Sequence, residues 1–352
     1  MSVTASCKFP FLEEWKQYCD KNKIFAFIDS VLSGYAQLAF NDNSFAGVLM
    51  IIATWLGSPT ICVSALWGTI VATLFALLIG IPKGAIRAGI YGANAALAGL
   101  AVQPLLFPNQ GLSFVLLGVT TIIAIMTVVL SQFLSKPFGK LDLPTLVIPY
   151  CITLIIFLAI FTAAGYIETS PTTLKALLFT TPLSSWTFHK CVTTFLNCAA
   201  EILWLVNPVS GILYLISLLF ASRRDAVNTV FAITVSIVTS IILGLPKEAV
   251  LSGLYGYNAI LLTQVLTRGF LYTRKSYALT IFAAAFSPVM CCIYQLILPR
   301  IGIGSFLALP YLTIVFLIFV NRKHFTGFTY IPAKYWGVPE TINHNFKKNS
   351  EP

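Results

Sequence analysis

The chain has 352 residues, of which 57% are hydrophobic and 10% charged, and its formal net charge is +10. Soluble domains carry about 25% charged residues, so composition argues against a soluble enzyme or a nucleic-acid-binding protein and for a polytopic membrane protein. The surplus of Lys and Arg then reads as the positive bias of cytoplasmic loops.

Residues 1–24 are charged and lack the apolar core of a signal peptide, so they read as a cytoplasmic N-terminal segment. A first membrane repeat follows over 25–164. It opens with a short amphipathic segment and continues with apolar segments at about 44–57, 59–80, 84–105, 112–134 and 144–164. These runs are continuous, unlike the short alternating segments of a β-barrel. Residues 165–187 form a polar external linker, with Ser170-Pro171-Thr172-Thr173 and Thr180-Thr181-Pro182 as turn signals. A second repeat covers 188–320, with apolar segments at about 208–222, 226–244, 248–266, 278–298 and 305–320. Residues 321–352 read as a cytoplasmic tail, a surface segment with partial disorder.

The repeat is written in the residues. Gly80-Ile-Pro-Lys-Gly-Ala-Ile-Arg-Ala-Gly-Ile-Tyr-Gly-Ala-Asn-Ala-Ala-Leu97 recurs as Gly244-Leu-Pro-Lys-Glu-Ala-Val-Leu-Ser-Gly-Leu-Tyr-Gly-Tyr-Asn-Ala-Ile-Leu261. Five crossings per copy start the second copy on the opposite side, so the copies are inverted. The first and last segments of each set are short, and short segments at matching places in two halves point to half-crossing helices around a site. Of the 22 Lys and Arg, only Lys175, Lys190, Lys247 and Arg300 fall outside when the N-terminus is placed inside. That asymmetry predicts ten spans with both termini cytoplasmic.

Glu201 is the ionisable side chain that the sequence singles out. At an offset of 164 it matches Gln37, and around it Phe40 matches Trp204, Asn43 matches Asn207, Gly47 matches Gly211 and Ser58 matches Ser222. A charge at membrane depth costs roughly 2.5–3.5 kcal/mol unless it faces a cavity or a partner. The plainer reading places Glu201 at the membrane surface, and the repeat match favours a passage. A polar group followed three residues later by an aromatic ring suits a small planar solute, whose polar atoms meet one and whose face meets the other. Asp29 reads as an N-cap or a structural hydrogen-bond acceptor, and Asp42 as a turn residue.

The Gly-x-Tyr-Gly-x-Asn blocks, Gly89 to Asn94 and Gly253 to Asn258, put glycine where helices approach closely. Their asparagines are expected to bond freed backbone groups. A third block, Leu143-Pro-Thr-Leu-Val-Ile-Pro-Tyr150, pairs with Leu309-Pro-Tyr-Leu-Thr-Ile-Val-Phe316 at an offset of 166. Thr313 then either offers its hydroxyl to a passage or bonds within helix packing. Eight cysteines show no metal or redox spacing and read as small core residues. His189, His324 and His344 are scattered, and no nucleotide-binding or nucleophile motif occurs, so no metal, cofactor or enzymatic activity is expected. The absence of an Asn-x-Ser/Thr sequon favours a bacterial inner membrane.

At these residues the chain resembles the urea transporter family. Phe27-Ile28-Asp29-x-x-Leu32-x-Gly34-x-x-Gln37-x-x-Phe40 is similar to the family's pore-helix entry, Gly-x-Tyr-Gly-x-Asn to its third-helix motif, and the Leu-Pro blocks to its Leu-Pro-x-x-Thr-x-Pro-Phe signature. The likeness covers about 25–320. It implies an all-α integral membrane protein with ten transmembrane helices plus two re-entrant pore half-helices in two inverted repeats. It implies a homotrimer with a pore in each protomer, conducting urea downhill without ATP or a coupling ion. Gln37 and Glu201 would stand at the two ends of an oxygen ladder, Phe40 and Trp204 would line flat slots, and Thr313 would narrow the centre. Val147, Ile202, Leu97 and Leu261 would complete the apolar lining. Val147 stands where the first signature has Thr, and Val315 where the second has Pro. The second pore helix, Cys191 to Glu201, lacks the family's Arg-Gly pair. Three other readings stay open: a channel for another small amide or urea analogue, a proton-coupled carrier titrating Glu201, and a membrane sensor without transport.

Overall fold

The structure, a computed structural model, describes residues 10–108, 110–168, 173–303, 306, 308–337, 339–340, 342 and 346. Ser170, Pro171, Thr172, His344, Lys8, Lys347 and Lys348 lie outside the described residues. Among the described residues helices dominate, and the only β-pairing is an isolated bridge between Phe270 and Tyr330.

The helices in chain order are α1 (Pro10–Lys21), α2 (Lys23–Ala36), α3 (Ser44–Gly57), α4 (Pro59–Leu78), α5 (Lys83–Arg87), α6 (Ile90–Leu106), α7 (Phe114–Lys140) and α8 (Ile148–Ala163). They continue as α9 (Leu174–Leu177), α10 (Phe188–Ala200), α11 (Pro208–Ala221), α12 (Arg223–Ile242), α13 (Lys247–Leu251), α14 (Gly256–Gly269), α15 (Arg274–Ile297) and α16 (Leu309–Val320). Four stretches, Pro59–Leu78, Phe114–Lys140, Arg223–Ile242 and Arg274–Ile301, are long and apolar enough to cross a membrane by themselves. A fifth span results if the pair Phe188–Leu203 and Pro208–Ala221, bent by 71°, counts as one. The protein is therefore an all-α, multi-pass membrane protein. The twelve residues of α16 reach only about 18 Å against a hydrocarbon core of about 30 Å.

Two compact units divide the chain: Met1–Leu154 with Leu213–Arg223, and Ile155–Ile212 with Arg224–Pro352. Each builds the same local pattern. In the first unit, Asn43 caps α3 by accepting from the backbone N–H groups of Phe45 and Ala46. In the second, Asn207 does the same for Val209 and Ser210 at the start of α11. Such caps satisfy donors that a helix start leaves unpaired.

The segments predicted at 84–105 and 248–266 are each broken. In the first unit α5 and α6 are parted by Gly89 at φ 73°, and in the second α13 and α14 are parted around Gly253 at φ 92°. Both glycines are in the left-handed region, which a Cβ makes costly. A Cβ at Gly89 would also strike the backbone of Ser33 and Gly34, and one at Gly253 the backbone of Asn197 and Cys198. The close approach expected of these glycines is thus between the broken helix and the end of α2 or α10.

The described part of the C-terminal segment is tied to the second unit. The Leu271 N–H donates to the Thr329 carbonyl at 2.9 Å, and the Ile331 N–H donates to the Gly269 carbonyl at 2.8 Å. Tyr330 packs edge-on against Phe270 and Phe319, while Arg322 lies 4.7 Å over its ring. Ile331 is fully buried. The Pro and Lys that made 325–337 look like a surface tail hide an aromatic cluster that anchors it.

Candidate functional site

In each unit one helix ends short and turns sharply. In the first unit α2 tightens into a single 3₁₀ turn over Gln37–Ala39, and Phe40 reverses the chain at φ 52°, ψ 37°. In the second α10 tightens over Glu201–Leu203, and Trp204 reverses it at φ 57°, ψ 38°. A bulky residue in the left-handed region is uncommon and strained, and such strain concentrates at functional sites. Leu38, Ala39, Ile202 and Leu203 are buried, whereas Gln37, Phe40, Glu201 and Trp204 are half-buried. Polar group and ring are therefore the parts of each turn left accessible.

The reversal depends on glycine one turn into the next helix. A Cβ at Gly47 would overlap the Leu32 carbonyl, and one at Gly211 the Leu196 carbonyl, each within its own unit. Gly47→Ala and Gly211→Ala are each expected to cost about 2–3 kcal/mol, because the obstacle is backbone and has little room to yield. Gly118→Ala, where a Cβ meets nothing within 4 Å, is the control and is expected to be neutral or slightly stabilising. Thermal unfolding of purified protein measures both. A Gly211→Ala protein as stable as the wild type would contradict the close approach.

The two polar residues differ in their bonds. The Gln37 amide donates to the Ala88 carbonyl at 2.7 Å. Ser252 is the repeat equivalent of Ala88, but the Glu201 carboxyl has no N–H to offer its carbonyl. Among the described residues the Glu201 carboxylate makes no hydrogen bond or ion pair. In the second unit the Asn197 amide donates instead, to the Leu251 carbonyl at 2.7 Å.

Asp29 is a structural acceptor, as one of its two readings had it, and lies within α2 rather than capping it. It is 1% exposed and accepts from the Trp15 indole at 2.8 Å and from the Ser44 hydroxyl, while Arg87 pairs with it at 3.3 Å. Asp42 occupies the connection to α3 and pairs with Lys16 at 3.3 Å.

Asn94 and Asn258 bond freed backbone groups. The Tyr150 N–H donates to the Asn94 side-chain oxygen at 3.1 Å, and the Asn94 amide donates to the Leu146 carbonyl at 3.3 Å. The Tyr311 N–H donates to the Asn258 oxygen at 3.2 Å. Tyr150 and Tyr311 are each the third residue of a helix, where the N–H has no intrahelical partner. These bonds correct the register of the third block. Pro149-Tyr150 is equivalent to Pro310-Tyr311, an offset of 161 rather than 166. The N-caps Ser113 and Thr273 of α7 and α15 show that the second copy has already lost residues by that point.

In the corrected register Val147, 8% exposed, is equivalent to Ala308, 4% exposed. Thr313 is equivalent to Ile152. Its hydroxyl meets the Tyr294 hydroxyl at 2.6 Å and the Leu309 carbonyl at 3.2 Å, the packing alternative considered for it. Leu97 is half-buried on α6, and Leu261 is buried on α14. Val315 is fully buried in α16.

The sequence shows no sign of the ion pairs, and one of them is almost fully buried. Asp225 in the first turn of α12 and Arg268 in the last turn of α14 are 1% and 2% exposed. The guanidinium donates to both carboxylate oxygens, at 3.1 and 2.6 Å, and to the Gln264 carbonyl at 2.7 Å. In the charge count Arg268 is one of the Lys and Arg assigned to the inner side. Its flanking Thr267 and Gly269 gave no sign of burial, and its partner lies 43 residues away.

Comparison with known proteins identifies the family. Residues 28–323 match the urea transporter family. Urea transporter 1 of Ovis aries is 25% identical over 292 residues, covering 81% of this chain and 75% of that protein. Urea transporter 1 of Rattus norvegicus is 27% identical over 247 residues, covering 69% and 63%. Over residues 28–323, most of its length, this chain belongs to the urea transporter family.

Proposed function

We propose that the protein conducts urea passively through a channel-like pathway to which each repeat contributes one helix tip. The observation that carries this reading is the duplicated turn: a half-buried Gln37 or Glu201, two buried apolar residues, then a half-buried ring at Phe40 or Trp204. Urea is flat, and offers four N–H donors and one carbonyl. A helix C-terminus presents carbonyls without intrahelical partners and the negative end of the helix dipole, so it suits N–H donors. The ring covers an apolar face at little cost, and the Glu201 carboxylate adds acceptors where each lost water hydrogen bond must be replaced.

In this reading Ile202, Leu97, Leu261 and Val147 line the apolar part of the path, and Ala308 joins them as the equivalent of Val147. Thr313 contributes by holding Tyr294 rather than by meeting solute. The fold would have ten spans and two re-entrant half-helices in inverted repeats, with boundaries near 25–164 and 188–320, both termini cytoplasmic, in a bacterial inner membrane as a homotrimer. The matched bends at Phe40 and Trp204 support the half-helices, and the sequence resemblance supports the trimer.

The test is urea flux in proteoliposomes. Efflux down a gradient is expected to exceed that of empty vesicles without ATP and without a pH or sodium gradient. Flux equal to empty vesicles, with protein correctly inserted, rejects the reading. Uptake that appears only with a pH gradient replaces it with the proton-coupled one.

A further inference from the structure

The two repeats pack their equivalent helices differently at one place. In the first unit α4, α6 and α7 close tightly. The Ser64 and Thr120 hydroxyls meet at 3.1 Å, and a Cβ at Gly99 would strike Ser64 and Ala65. In the second unit the equivalents of Ser64, Gly99 and Thr120 are Asn228, Thr263 and Thr280. Beside the contact of Ala232, Ala259 and Ala284 that joins α12, α14 and α15, these side chains border a shallow crevice lined by Asn228, Phe231, Thr263, Tyr277 and Thr280. Its interior has room for little more than one water-sized group. The Asn228 amide nitrogen is buried there with no hydrogen-bond partner among the described residues. Thr263 and Thr280 donate back to the Ala259 and Ser276 carbonyls, which leaves their oxygens as acceptors.

The rim of the crevice differs as well. Phe231 is half-exposed, and Tyr277 meets it edge-on. The first turns of α12 and α15 carry Arg224, Arg274 and Lys275, all exposed, with Arg224 lying 5.6 Å over the Tyr272 ring. The first unit has Thr60, Phe114 and Val115 at the equivalent positions. Asp225 is paired with Arg268, Glu340 accepts from the Arg224 backbone N–H, and the Arg224 guanidinium donates through one nitrogen to the Pro339 carbonyl, which leaves Arg274 and the rest of the Arg224 fork for an anion. Asn228 stands four residues beyond Arg224, about 6 Å deeper along α12.

We propose that this crevice is a site for an anionic phospholipid. The phosphate lies against Arg224 and Arg274, one ester carbonyl accepts the Asn228 amide N–H a turn deeper, and the acyl chain follows Phe231 and Val235. Tyr272 and Tyr277 mark the headgroup level, where amphipathic rings collect. Basic residues beside a membrane draw anionic lipids. A buried amide donor needs an acceptor, and a lipid carbonyl at that depth supplies one.

The test counts lipid retained by the purified full-length protein in native mass spectrometry, using phosphatidylglycerol or phosphatidylcholine with identical acyl chains. Wild-type protein is expected to retain phosphatidylglycerol about tenfold over phosphatidylcholine. Arg224→Gln with Arg274→Gln is expected to bring that ratio near one. Asn228→Leu, and Thr263→Gly, which restores the first unit's close packing, are expected to reduce retention of both lipids severalfold and leave the ratio intact. A wild-type ratio in the double arginine variant, or undiminished lipid in Asn228→Leu, overturns the site and leaves the crevice a packing gap. Inorganic phosphate that displaces phosphatidylglycerol at low millimolar concentration would reassign it to a soluble anion. Both arginines are exposed, so the double variant keeps the proposal testable should Asn228→Leu fail to fold.

Discussion

Removing one partner of the Asp225–Arg268 pair is expected to destabilise the protein by about 3–5 kcal/mol. The reason lies in what stays behind. Both groups are almost fully buried, and the two-point contact at 3.1 and 2.6 Å replaces their hydration. Arg268→Leu would leave the buried Asp225 carboxylate without the guanidinium that replaces its hydration, and Asp225→Leu would strand a guanidinium. The attraction itself contributes less, because burying two charges offsets most of it. Asp225→Leu combined with Arg268→Met is therefore expected to recover most of the loss. Thermal unfolding in one detergent at one protein concentration compares the four proteins. Single variants within about 1 kcal/mol of wild type, or a double variant no better than the singles, would show that the pair is solvated or replaceable.

That pair also shows what the sequence reading reached. The ten apolar segments, the offset of 164 and the Gln37–Glu201 equivalence were legible because hydrophobic runs and repeated side chains are local patterns. The breaks at Gly89 and Gly253 were not resolved: the glycines were visible, but the backbone of α2 or α10 that forbids a Cβ there is remote in sequence. The third block was misaligned because the first copy offers two candidates, Leu143-Pro144 and Ile148-Pro149, for the single Leu309-Pro310 of the second. Only the Asn94 and Asn258 bonds to Tyr150 and Tyr311, each more than fifty residues away, decide which proline corresponds to Pro310. Arg268 was illegible for the opposite reason. Its surroundings in sequence read as exposed, and a remote partner, Asp225, holds it buried.

The correction at the third block changes what the candidate site asks of its polar residues. With Val147 and Ala308 equivalent, neither repeat offers a hydroxyl at that position, and Thr313 is engaged with Tyr294. The side-chain acceptors at the two turns are the Gln37 amide oxygen and the Glu201 carboxyl oxygens, and the Gln37 side chain is fixed by its N–H bond to Ala88. In the proposed pathway Glu201, which has two oxygens and no bond among the described residues, carries the larger share. Glu201→Gln removes one charged acceptor and adds a donor that would face urea's own donors or turn toward the Ser252 carbonyl, as Gln37 does toward Ala88.

Loss of a charged hydrogen bond is worth about 1.5–3 kcal/mol, so urea conductance is expected to fall about tenfold to a hundredfold in Glu201→Gln, with folding unchanged. Glu201→Asp, which keeps the charge on a shorter stem, should retain more conductance than the glutamine variant. Gln37→Glu tests the other half. It loses the donor to Ala88 and leaves that carbonyl unpaired, so its main effect is expected in stability, about 1–2 kcal/mol, rather than in rate. Stopped-flow urea flux in proteoliposomes of equal protein content, read beside thermal unfolding, separates the two. Unchanged flux in Glu201→Gln would remove Glu201 from the pathway. A Gln37→Glu protein that keeps its stability would mean that the first turn does not depend on its bond to Ala88, and the asymmetry between the two tips would need another cause.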